Sequence, residues 1–93
     1  MDRLATETLR HTTDPDLYFE LAEDQLRLIE RCEAVARVRR RAGEADGAEE
    51  ADRCVRTARL DAGDAIKHGR ELAPRSREGA RLASQLQRMT RSR

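Results

Sequence analysis

Residues 51–72 read ADRCVRTARLDAGDAIKHGREL, and the apolar positions within that stretch decide the fold. Ala51, Val55, Ala58, Ala62, Ala65, Gly69 and Leu72 follow one another at spacings of 4, 3, 4, 3, 4 and 3 residues. An α-helix gathers such positions into one narrow stripe, and the alternation is that of a coiled-coil seam. Nearly every member of the stripe is small, so a partner helix can bring its backbone close. The stretch therefore predicts a helix that buries one thin face against a second helix.

The second helix lies N-terminal to it. Asp14-Pro15-Asp16 is a start signal: the Asp14 carboxylate can accept from orphan backbone N–H groups, and Pro15 suits the first helical position. From there helix one is expected over residues 15–42. Its last turn holds Arg39, Arg40 and Arg41, the favourable sign for a C-terminus, and Gly43 can close it. Leu21, Leu28, Val35 and Ala42 recur every seven residues along it. Ala22, Ile29 and Ala36 lie beside them, with Tyr18, Gln25 and Cys32 completing the stripe. Gly43-Glu44-Ala45-Asp46-Gly47 is the break, short enough to force antiparallel neighbours. Helix two is expected over 48–73, where Pro74 stops it, and a third helix over 76–90 with Ser76 as its cap. The tail is Arg91-Ser92-Arg93. Residues 1–13, with Leu4, Ala5 and Leu9, read as a short helix or arm. The expected class is all-α, one domain: an antiparallel helical hairpin followed by a C-terminal helix.

Composition agrees and exposes a shortage. Of the 93 residues, 40% are charged and 38% are apolar, and 14 of the apolar ones are Ala. Ala, Arg, Glu and Leu favour helix, and the net charge of +1 gives little self-repulsion. A core this thin depends on covering every large apolar group it has. Phe19, Leu26 and Ile29 on one helix, with Val55, Leu60 and Ile66 on the other, cannot all enter a two-helix seam. Either helix three covers them through Leu82, Leu86 and Met89, or a second chain does. The sequence reading favours the second chain, a homodimer or a partner completing a bundle, with Phe19, Leu26, Ile29 and Ile66 as the exposed, partner-facing anchors. The function that follows is that of a helical protein–protein interaction module.

Chemical motifs are few. Cys32 and Cys54 fall opposite one another if the chain folds about Gly43, whereas folding about Ala45 pairs Cys32 with Ala58 and Val35 with Val55. The pair reads either as a redox-sensitive inter-helix disulfide or as two small buried hydrophobes, and the second reading is preferred. Two cysteines without CxxC spacing fit a reducing compartment. No run nears the roughly 20 apolar residues of a membrane span, and Met1–Glu7 carries no apolar leader, so a cytoplasmic location is expected. His68 and Asp64 stand four residues apart on helix two, with Asp61 a further turn below, and read as a solvated polar face rather than a metal site. No nucleophile–base constellation and no phosphate loop is present, so neither catalysis, cofactor nor small-molecule substrate is expected.

Charge is unevenly placed. Residues 1–38 hold nine acidic and five basic groups, and residues 39–73 eight of each, whereas residues 74–93 hold six arginines and one glutamate. This supports an alternative function: a nucleic-acid-associated protein contacting phosphates through Arg75, Arg77, Arg81, Arg88, Arg91 and Arg93. One lysine and no aromatic platform weigh against it.

Overall fold

The computed structural model describes residues 13–91 of the chain, and these form three α-helices and no strand. Helix α1 spans Pro15–Arg41, α2 spans Ala45–Leu72 and α3 spans Arg77–Arg91. Residues 1–12 of the N-terminal arm, and Ser92 and Arg93 of the tail, lie outside the described residues. No helix among them is long and apolar enough to cross a membrane.

Local chemistry explains the helix ends. Asp14 accepts from the Asp16 backbone N–H at 3.0 Å, and Pro15 occupies the first turn, where its missing donor costs nothing. At the other end Gly43 takes φ +77°, the left-handed region in which a side chain would be strained. Its N–H donates to Arg40 O at 3.1 Å and that of Glu44 to Arg39 O at 2.8 Å, the paired bonds of a Schellman cap. The turn is therefore tighter than expected. Ala42, Gly43 and Glu44 suffice, and Ala45, Asp46 and Gly47 belong to the first turn of α2 rather than to a loop. Arg39 helps to hold the corner by donating to Gly47 O at 2.9 Å. After α2, Pro74 prevents continuation, and Ser76 Oγ accepts from the Gly79 N–H at 3.2 Å to cap α3.

Helices α1 and α2 lie antiparallel, and their register follows from folding at Gly43. Arg40 pairs with Asp52, Cys32 stands 6.3 Å from Cys54 between Cα atoms, and Phe19 packs against Gly69. The small-residue stripe of α2 is the buried face: Ala51, Val55, Ala58, Ala62, Ala65 and Gly69 are all buried, while Leu72 at its end is exposed.

On α1 the expected stripe is buried in part: Tyr18, Ala22, Gln25, Ile29 and Ala36 are buried, but its Leu21–Leu28–Val35 row is not. Ala22, Ile29 and Ala36 point inward with Phe19 and Leu26, whereas Leu21 and Leu28 are half-buried at the rim and Val35 is exposed. The helix is turned by about 100°, one residue's worth, relative to the Leu21–Leu28–Val35 reading. The reason lies in α3. Leu82 is fully buried in the same cluster as Phe19, Leu26, Ile29, Val55 and Ile66, with Leu86 and Met89 packed against it. A third surface makes it more favourable to bury the bulkier Phe19–Leu26–Ile29 set, and the Ala positions between them keep α1 close to α2. The four residues expected as exposed anchors, Phe19, Leu26, Ile29 and Ile66, are thus interior residues of a single chain. No second chain is required to cover them.

Candidate functional site

Helix α3 is placed by close contact at its start and by Leu82 in the middle. A Cβ at Gly79 would meet Arg70 Cγ at 2.9 Å and Phe19 Cζ at 3.0 Å, so a glycine is needed there for α3 to approach. Along its side facing α2 the contact opens into a groove of about 940 Å³. Its floor is made by Gly63 and Ile66 of α2 with Ala83 and Leu86 of α3. Its rim carries Lys67, Arg70 and Arg91 against the single acid Glu71. Leu60, 75% exposed, sits three residues before Gly63 and seven before Lys67, so it prolongs the groove's α2 wall by a turn. A concave apolar floor with a cationic rim is an amphipathic surface, suited to a partner with one apolar stripe and acidic flanks.

The outer face of α3 is different. Arg77, Arg81, Arg88 and Arg91 fall within an arc of about 80° at 100° per residue, opposite Leu82 and Leu86, with Arg91 at its edge also lining the groove. Arg81 is engaged: it donates to Glu78 and, at 3.3 Å, to Gln85, and lies 3.8 Å from Glu23 of α1. The hydrogen bond to Glu78 raises its pKa, opposed by slight desolvation and reinforced by the charges of Glu78 and Glu23. Arg75 lies in the exposed turn before α3. Five of the six arginines read as phosphate contacts are therefore accounted for, and four of them share one face.

Cys32 and Cys54 are joined as a disulfide across α1 and α2, so the preferred reading of two independent small hydrophobes does not hold. Both residues are half-buried. A depression of about 390 Å³ beside Cys54 is lined by Leu28, Glu50, Arg53, Thr57 and Ala58, and by no residue of α3.

His68 is held between carboxylates, Nδ1 3.2 Å from Glu71 and Nε2 3.6 Å from Asp64, and its ring lies 5.6 Å from that of Tyr18 between centroids. Asp61 is buried rather than part of that polar face. Among the described residues no group of three or more His, Cys, Asp or Glu side chains is arranged to hold a metal ion.

The groove leaves little trace in the sequence. Leu60 stands off the 4-3 stripe, among the large apolar groups that a two-helix seam cannot cover, and that surplus is its sequence signal. The groove's other wall, from Ala83 to Arg91, depends on where α3 docks and has no local signature. No protein-family model matches this chain, and neither a curated protein nor a solved structure shows significant similarity to it.

Proposed function

We propose that this chain is a helical protein-interaction module, and that the groove between α2 and α3 receives an acidic amphipathic helix of a partner protein. The observation carrying this reading is the groove itself, with Ile66, Ala83 and Leu86 offering apolar contact beside Lys67, Arg70 and Arg91, and exposed Leu60 one turn further along α2. Helix-in-groove recognition works in this way, the apolar stripe supplying affinity and the rim charges orientation and association rate. Self-association is the other form of the same reading. It is less favoured because the large side chains that called for a second copy are covered by α3.

The test uses an acidic peptide of about 18 residues with Leu at i, i+3, i+4 and i+7, and a twin carrying Lys for Glu. Fluorescence anisotropy should show binding of the acidic peptide only, weakening as salt rises. The double variant Lys67→Glu, Arg70→Glu should lose about tenfold or more in affinity, because it reverses the rim charge. Equal binding of both peptides, or none of the acidic one, overturns the proposal. A solution mass near twice 10.6 kDa that returns to the monomer value in the double variant would place a second copy in the groove instead.

A second reading rests on the arginine face of α3, which suits a polyanion such as duplex nucleic acid. Retention on immobilised DNA that falls after Arg77→Glu and Arg88→Glu supports it, and passage of the unmodified chain at low salt overturns it.

A further inference from the structure

The cysteine pair stands apart from the groove. Its depression takes its walls from α1 and α2 alone, and Cys54 lines it whereas Cys32 does not. A nucleophile entering from solvent there approaches the bridge from the Cys54 side. The surroundings are also specific. Leu28 and Ala58 give apolar walls, Glu50 places a carboxylate at the rim and Arg53 a guanidinium. A volume of about 390 Å³ accommodates a small molecule but not a folded domain. Acid and base together match a ligand carrying both an ammonium and a carboxylate. Arg53, 3.8 Å from Glu49, also offers a counter-charge to an incoming thiolate, the species that attacks in disulfide exchange.

We propose that the Cys32–Cys54 bridge is a thiol-exchange site, at which a low-molecular-weight, amino-acid-derived thiol attacks Cys54 Sγ and Cys32 is the leaving group. In the first step the incoming thiolate forms a bond to Cys54 Sγ, the Cys32–Cys54 bond breaks, and Cys32 departs as a thiolate that takes a proton from water. In the second step another thiolate attacks the small molecule's sulfur in the mixed disulfide, releasing Cys54. Two small thiols are oxidised to their disulfide and the protein gains two electrons and two protons. The reverse sequence regenerates the bridge, with the small-molecule disulfide as oxidant.

Glutathione is the probe. In the unmodified, bridged chain, reduced glutathione followed by rapid alkylation should leave glutathione on Cys54 and the alkyl group on Cys32, as read by peptide mass spectrometry. The opposite placement, an equal split, or no adduct overturns the proposal. A second measurement reads the reverse reaction. Free Cys54 in Cys32→Ser should react with glutathione disulfide about tenfold faster than free Cys32 in Cys54→Ser, as access from the depression favours it. Equal rates, or a faster Cys32, count against it. Circular dichroism of both variants shows whether each keeps its helices, and the alkylation experiment needs no variant.

Discussion

The α1–α2 seam and the α3 contact are built on opposite plans. The seam is long and narrow, with Ala51, Ala58, Ala62 and Ala65 of α2 buried against α1, the corner capped at Gly43 and a disulfide across the middle. Helix α3 is held by one large, fully buried side chain, Leu82, supported by Leu86 and Met89, and by the close approach of Gly79 to Phe19 and Arg70. Beside that short contact lies the groove, and behind it the arginine face. Rigidity is concentrated where the chain offers small residues in register. The groove and the arginine face lie where packing is sparse, the regions of lower local stability if that stability follows buried apolar contact.

The largest expected effect would erase the contrast altogether. Ile29 is fully buried where the seam and α3 meet, so Ile29→Glu should cost about 4 kcal/mol or more and unfold the chain. Circular dichroism at 222 nm checks it. A helical variant with altered assembly would instead return Ile29 to an intermolecular surface. Next, Leu82→Ala should cost about 2–5 kcal/mol. Native-state hydrogen exchange should show α3 losing protection before the hairpin, whereas uniform loss would mean that the two regions form one cooperative unit.

Reducing the Cys32–Cys54 bridge, which spans a sequence separation of 22, should lower stability by about 3 kcal/mol on the loop-entropy model, read from urea midpoints with and without reductant. An unchanged midpoint would mean that the seam is held by packing alone.

Two glycines sharpen the comparison. A Cβ at Gly69 would stand 2.5 Å from Phe19 Cε1, so Gly69→Ala should destabilise by about 1–2 kcal/mol despite its gain in helix propensity. At Gly63 the nearest atom is Leu86 Cδ2 at 3.8 Å, ordinary contact. Gly63→Ala should therefore stabilise by about 0.5–1 kcal/mol. Thermal melts of both variants decide the point. If the signs were reversed, the region around Gly69 would be the loose one.

Parts of this were legible beforehand. Asp14-Pro15, Gly43, Pro74 and Ser76 mark helix ends through interactions spanning at most a few residues, and the 4-3 spacing of α2 named the face that is buried. The arginine face of α3 could be counted from spacing. The orientation of α1 could not, because Leu21–Leu28–Val35 and Ala22–Ile29–Ala36 are both seven-residue repeats one position apart. The cysteine register was open for a similar reason: Gly43 and Ala45 were equally plausible pivots until the Schellman cap selected Gly43.

The division has a physical basis. The sequence by itself determined that the chain is helical, where its helices start and stop, and that α2 presents one thin face, because capping, glycine and proline act within a turn or two of themselves. Only the tertiary structure decided which stripe of α1 faces inward, that Ile29 is core rather than anchor, and that Ile66 and Leu86 line a groove. Those outcomes depend on how much apolar surface three helices bury together, a sum over residues up to 63 positions apart in the chain, as Phe19 and Leu82 are. No local spacing contains that sum.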